Sequence, residues 1–326
     1  MTESTHEISS IGSVPVKRRA LLTDLLVRLV KEKPLGTAGA VIVLLLLLTG
    51  IFANVLAPYG MNEISLAERL AGPSARHWLG TDNLGRDLLS RIIFGARISM
   101  YVGLAASILD AIGATLIGII SGFLGGKTDL VIQRFVDAWM CFPGLVIFLT
   151  VISIIGPGLV QVILVLGISS SIRSSRVVRS AVMNIKENMY VQAAVCIGAP
   201  TYRILLRHIL PNIMAPIIII FTLAMGSMII AEASLSFLGF GIPPPTPSWG
   251  GMLSGSGRTY MVNAPGMAIW PGLALAIVVY GINMLGDAVR DLLDPRLRGG
   301  LGRYAGVKFK GRAKEAQEAA AVEERR

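Results

Sequence analysis

The chain offers few side chains suited to chemistry. Its three histidines, His6, His77 and His208, lie far apart, and neither Cys141 nor Cys196 is spaced with them. No metal-ligand set follows from that spacing. Two cysteines build no disulfide framework. Gly125-Gly126-Lys127-Thr128 looks like the end of a phosphate-binding loop. The first glycine of such a loop would fall on Ser121, and no strand precedes it, so nucleotide binding is not expected here. No nucleophile–base pair stands out for an integral-membrane enzyme. Two carboxylates remain, Asp110 and Glu232, each set among apolar residues. A carboxylate at a bilayer centre costs about 2.5–3.5 kcal/mol on insertion scales, so such a group must face protein or water. Asp110 and Glu232 either line a pathway or pack against a neighbouring span.

The elements that hold these groups follow from composition. Of 326 residues, 53% are apolar and only 15% are charged, and mean hydropathy is +0.66. That excludes a disordered chain, a secreted disulfide scaffold and an ordinary cytosolic enzyme. The charges fall in blocks. Pro34–Asn62, Ala138–Ile172, His208–Ala231 and Thr259–Gly286 carry none, and Ile98–Gly126 carries only Asp110. A bilayer core needs roughly 20 apolar helical residues. Gly156-Pro157-Gly158 divides Ala138–Ile172 between two helices. Six spans are predicted, at about Leu35–Leu56, Ile98–Leu124, Leu130–Ile155, Leu159–Val178, Ile213–Leu238 and Met267–Leu285. Continuous apolar runs favour helices over a β-barrel. The first run is longer than a signal-peptide core and is read as an uncleaved span.

With six spans, 24 of the 30 Lys and Arg residues fall on one side and six on the other. The positive-inside rule puts the 24, and both termini, in the cytoplasm. This accounts for the net charge of +10 without nucleic acid. The tail Lys308–Arg326 is then a solvated or lipid-facing extension. No disulfide is expected on this topology.

Three loops are informative. In the outer loop Ala57–Arg97, Gly80-Thr81-Asp82-Asn83 is a turn and cap signal. Leu84, Leu88, Leu89, Ile92 and Ile93 then share a helical face, with Asp87 and Arg91 spaced for an i,i+4 pair. This predicts an amphipathic helix at the outer interface, as a brace or as a gate. The outer loop Gly239–Gly266 holds Pro243-Pro244-Pro245, Pro247 and Trp249-Gly250-Gly251, a stiff path that either lines a pore mouth or simply connects. In the cytoplasmic loop Arg173–Pro211, Tyr190–Ile197 is helix-compatible, Gly198 breaks it, Pro200 suits a new first turn, and Pro211 marks the next boundary. Ala193, Ala194 and Gly198 are expected on a small-residue surface open to a partner. Gly118, Gly122 and Gly126 form a small-residue packing stripe, and Asp129, Arg134 and Asp137 a local charge network.

Four motifs carry a resemblance. Gln192-Ala193-Ala194, Gly198 and Leu210-Pro211 resemble the cytoplasmic E-A-A…G…I-x-L-P signature of type I ABC importer permeases. His77-Trp78-Leu79-Gly80-Thr81-Asp82-Asn83-Leu84-Gly85-Arg86-Asp87 and Pro244–Met252 are similar to outer segments of the dipeptide/oligopeptide/nickel permease family. Asp287–Arg298 is similar to its terminal motif. The match covers roughly Leu35 to Gly300 and is closest to the "C" permease subunit. The cytoplasmic signature alone is moderately specific; all four in order are highly specific. Two positions depart from the pattern: Gln192 replaces Glu and loses its charge, and His208 replaces the usual Ile.

The resemblance implies an all-α integral membrane protein with six transmembrane helices of the type I importer fold. It implies residues 1–34 as a cytoplasmic segment, 35–96 as first span and outer loop, 97–291 as a five-helix core with coupling loop 173–211, and 292–326 as a cytoplasmic tail. It further implies a non-catalytic subunit, without cofactor, in a bacterial or archaeal cytoplasmic membrane. A paralogous permease would share the pathway for di- or oligopeptides. Two ATPases would bind the coupling residues Gln192, Ala193, Ala194, Gly198, Leu210 and Pro211, and an external binding protein would deliver cargo. Asp110, if it lines the pathway, would meet a peptide amine. The alternatives are nickel or another small solute as cargo, or a proton-driven transporter working through Asp110 and Glu232.

Overall fold

The computed structural model describes residues 21–293. His6, Lys17, Arg18 and Arg19, the Asp294–Arg298 half of the terminal motif and the tail Lys308–Arg326 lie outside the described residues. Helix α1 (Leu21–Glu32) leads into α2 (Pro34–Ile51), where Pro34 takes a first-turn position that needs no N–H partner. The short α3 (Ala53–Leu56) follows. Then come α4 (Leu88–Leu124), α5 (Gly126–Met140), α6 (Gly144–Ile155), α7 (Leu159–Lys186), α8 (Met189–Cys196), α9 (Thr201–Ile204), α10 (Met214–Phe237), α11 (Trp249–Leu253), α12 (Gly255–Thr259) and α13 (Gly266–Leu293). Among the described residues there is no strand, only an isolated bridge between Thr81 and Asp87.

Among the described residues, four segments are long and apolar enough to cross a membrane: α2, α4, Thr201–Phe237 and α13. Helices α5 and α6 together make a fifth candidate, bent by 89°. The expected span Leu159–Val178 lies in α7, which is not among them; its second half carries Arg173, Arg176, Arg179 and Lys186.

Three expectations need correction. The span Leu130–Ile155 is broken, not continuous. Pro143 lacks an N–H and takes the N-cap of α6 with ψ 130°, so one helix stops at Met140 and the next starts at Gly144. The outer helix is not a separate element over Leu84–Ile93. It begins at Leu88 and runs unbroken into the second span, giving 37 residues of helix. Arg97 does not interrupt it, because its guanidinium turns back to Gly50 O at 2.8 Å and Asn54 Oδ1 at 3.1 Å. Nor does Asp87 pair with Arg91. Asp87 caps α4 instead, accepting from the Ser90 N–H at 2.7 Å and the Ser90 hydroxyl at 2.8 Å. Arg91 lies 3.6 Å from Asp82.

The most extensive helix pairing is α4 with α7. Gly118 and Gly122 lie on this seam. A Cβ at Gly118 would meet Val178 Cβ at 2.6 Å, and one at Gly122 would meet Arg179 O at 2.9 Å, so only glycine permits the approach. Gly126 departs from the expected stripe: it is left-handed at φ +54° in open space and starts α5. Helix α2 packs on α13, and α10 on both α4 and α13. Leu46, Ile229, Trp249, Val278 and Ile282 form the core between them. Val102, Ile152, Leu166 and Met228 join α4, α6, α7 and α10 in a second core.

Candidate coupling site and buried carboxylates

Helix α7 runs on to Lys186, past the expected span end at Val178. Two ion pairs with α5 hold this polar extension. Arg179 Nε donates to Asp129 Oδ1 at 2.6 Å, with a second bond at 2.5 Å, and Arg176 pairs with Asp137. Asp129 also accepts from the Ser121 hydroxyl, which receives the Gln133 amide at 2.9 Å. The expected network of Asp129, Arg134 and Asp137 is thus mostly an inter-helix clamp, with Arg134 only 3.7 Å from Asp137 at its edge. The sequence signal was Arg176 and Arg179 on α7, matched by two acids, Asp129 and Asp137, eight positions apart on α5.

At the foot of α7 the chain turns into α8. The turn is tied by Lys186 Nζ donating to Phe123 O at 2.7 Å and by Asn188 Nδ2 donating to Ile185 O at 3.1 Å. Helix α8 ends in a Schellman motif: Gly198 N–H bonds Val195 O at 2.9 Å and Ala199 N–H bonds Ala194 O at 3.0 Å. This requires a left-handed residue, and Gly198 has φ +73° with nothing within 4 Å of a Cβ position. Pro200 is the N-cap of α9, just outside the helical turn expected for it.

Pro211 is not a boundary. From Thr201 to Phe237 the backbone stays helical through a π turn at Leu205–Ile209 and a 3-10 turn at Leu210–Ile213. The wider π turn, with Leu210 N–H on Leu205 O, makes room for a ring that an α-helix would not accept at this point.

Val191, Ala194, Ile204, Ile209 and Ile213 pack with Val178 and Val182 into one cluster, so α8 is fixed to the end of α7. Ala194 therefore turns inward at 7% exposed, a correction to the expected small-residue surface. Gln192, Ala193 and Gly198 face outward; Leu210 is half-buried and Pro211 exposed. Gln192 Nε2 donates to Glu187 O at 3.1 Å, a bond a glutamate at this position could not give. Around them stand the exposed Met189, Ile197, Tyr202 and Leu206, which sequence reading did not single out. A groove of about 510 Å³ runs between α8 and the α4–α5 turn, lined by Gly125, Gly126, Asp129, Lys186, Gln192 and Cys196 among others.

Asp110 is 1% exposed and faces α7, where the Ser174 hydroxyl donates to Oδ2 at 3.3 Å. Glu232 is fully buried under the outer loop, and the Ser236 hydroxyl donates to Oε1 at 2.6 Å. Neither carboxylate has an open face in this chain.

The outer loops are packed structures. Trp249 is 2% exposed, sits over Gly95, and its indole donates to Ile92 O at 3.1 Å. In the other loop His77 is buried between Asp87 Oδ1 at 2.9 Å and Glu68 Oε2 at 3.0 Å, with the Tyr59 ring tilted by 33° against it at a centroid distance of 4.8 Å. Burial pulls the His77 pKa down, but its bonds to Asp87 and Glu68 and their charges outweigh this and raise it above the ordinary value. The same hydrogen bond lowers the pKa of Glu68.

The geometry is thus a long α4–α7 seam, an α5–α6 pair bent by 89° and α8 packed onto the foot of α7. Comparison with known proteins gives the family. The family model for the binding-protein-dependent transport system inner membrane component matches residues 114–299. The N-terminal TM domain of oligopeptide transport permease C matches residues 23–73. The dipeptide transport system permease protein DppC of Alkalihalophilus pseudofirmus is 39% identical over 82% of this chain and 88% of its own. The glutathione transport system permease protein GsiD is 40% identical in Pectobacterium atrosepticum, over 81% of this chain and 87% of its own. In Escherichia coli O6:K15:H31 it is also 40% identical, over 82% and 89%. The chain belongs to the family of inner-membrane permease subunits of binding-protein-dependent ABC importers. That membership removes the stand-alone proton-driven transporter as an alternative.

Proposed function

We propose that this chain is the non-catalytic permease subunit of an importer for short peptides, a class that includes dipeptides and glutathione. It pairs with a paralogous permease to form the pathway, is fed by an external binding protein, and is driven by two ATPases. The chain crosses the membrane six times with both termini cytoplasmic, α7 supplying the fourth span and its extension carrying α8 below the bilayer. Residues 1–34 and 292–326 flank the permease, and 173–211 is its coupling loop.

One observation carries this reading. Helix α8 is packed by Val191 and Ala194 onto the end of α7 and presents Gln192, Ala193 and Gly198 outward, ringed by exposed apolar side chains. A rigid helix with an unsatisfied apolar rim suits a partner that pushes on it. Motion applied there passes to α7 through the shared cluster and to α5 through the two ion pairs. Asp110 serves as a packed group that ties α4 to α7 through the Ser174 hydroxyl, and Glu232 as a packed group that orients Ser236 of its own helix, whose oxygen accepts from the outer-loop Ile242 N–H; neither is a pathway ligand.

The test is reconstitution of the four-subunit complex with its binding protein in vesicles. Uptake of a labelled dipeptide that requires ATP is expected. Uptake driven by a proton gradient without ATP, or none at all, would contradict the proposal.

A further inference from the structure

A cavity of about 280 Å³ opens where the α5–α6 elbow meets α7 and α10. Trp139 and Phe148 line one side and Ser169, Ser170, Arg173 and Ser227 the other. Of the three arginines on α7, Arg176 and Arg179 are paired with Asp137 and Asp129. Among the described residues Arg173 has no carboxylate in reach, and its side chain is exposed. It stands 14 positions after Leu159, or about 21 Å along the helix. With the Gly156–Gly158 turn at the membrane surface, that is inside an apolar layer about 30 Å thick. An unpaired guanidinium at that depth faces water or a ligand, since lipid would not hold it. The opposite face of α7 is already taken: Ser171, Ser175, Val178 and Val182 are buried, and Gly113 and Gly118 of α4 pack against Ser171 and Val178.

We propose that Arg173, with the hydroxyls of Ser169 and Ser170, forms a pathway site for the carboxylate of the cargo, Trp139 and Phe148 bounding its apolar portion. A guanidinium presents two parallel N–H donors that match a carboxylate, and the cavity holds no acid to compete for them. The proposal deepens the peptide-importer reading and rests on it.

Two measurements on the complete complex test it. The first compares uptake of a dipeptide with uptake of its C-terminal amide, in Arg173→Gln, Arg173→Lys and the unaltered chain. Arg173→Gln is expected to lose ten- to a hundredfold on the free acid, the size of a charged hydrogen bond, and little on the amide. Arg173→Lys should recover part of the loss. Equal loss on both peptides, or no loss, would overturn the proposal. The second measures labelling of Arg173→Cys by a charged, water-borne thiol reagent, above the baseline of the native Cys141 and Cys196. Labelling slowed by the dipeptide is expected. No labelling, or labelling the dipeptide does not slow, would overturn the proposal whatever the uptake values. Absence of any peptide uptake by the unaltered complex would instead overturn the function proposed above, and labelling alone would then decide whether position 173 faces water.

Discussion

Gly198 is the position where a substitution separates the chain's own stability from its contact with a partner. Its φ of +73° means that any other residue there is strained by about 1–2 kcal/mol. Nothing in the chain lies within 4 Å of a Cβ at this point, so bulk adds no internal clash. Folded proteins hold about 5–15 kcal/mol in reserve, so neither Gly198→Ala nor Gly198→Trp should prevent folding or membrane insertion. The two variants share the backbone strain and differ only in volume outside the chain. In vesicles, ATP hydrolysis and peptide uptake are measured together. Gly198→Ala is expected to keep most of its uptake. Gly198→Trp is expected to lose at least about tenfold in uptake per ATP, which corresponds to about 1.4 kcal/mol of disturbed docking. Equal losses would assign the effect to backbone strain. Undiminished uptake by Gly198→Trp would refute the docking role of this surface.

Other consequences follow from the same contacts. Asp129→Asn breaks a two-bond pair that is mostly shielded from water, at about 1.5–3 kcal/mol, and should lower the thermal midpoint of the purified complex. In a double-mutant cycle with Arg179→Gln the double variant should lose less than the sum of the two single losses. Trp249→Ala should cost about 3–5 kcal/mol by emptying a buried site, and Trp249→Phe only about 1 kcal/mol through the lost indole bond, both read as thermal shifts. His77 has a raised pKa in the fold, so its stabilisation is complete below the ordinary histidine value of about 6.5 and is lost as pH rises through the raised one. Hydrogen-exchange protection of residues 77–90 should therefore be full in mildly acid solution and fall as pH rises past the ordinary histidine value, and His77→Gln should remove that dependence.

The spans were legible because long charge-free runs have few other uses, and α2, α4, α10 and α13 lie where those runs predicted. Gly118 and Gly122 were legible as a packing stripe because close approach leaves small residues at a fixed helical spacing. What was not legible depended on contacts between distant parts of the chain. Pro143 breaks a span while Pro211 does not, and only the π turn before Pro211 explains the difference. Asp87 and Arg91 have the spacing of a pair, yet the N-cap and His77 claim the first and Asp82 the second. In the coupling motif the residue types were readable but their facing was not. Ala193 and Ala194 look alike in sequence, and only the cluster with Ile204, Ile209 and Ile213 turns one of them inward.

The central claim is that α8 meets an ATPase on the cytoplasmic side. Ala193 faces outward on α8 and suits a crosslinking probe. With Ala193→Cys in the complete complex, a short thiol crosslinker should join this chain to the ATPase subunit, above the baseline of the native cysteines, and the yield should change with bound nucleotide. A crosslink that never forms, or labelling of Ala193→Cys in intact cells by a reagent that cannot cross the membrane, would contradict the account.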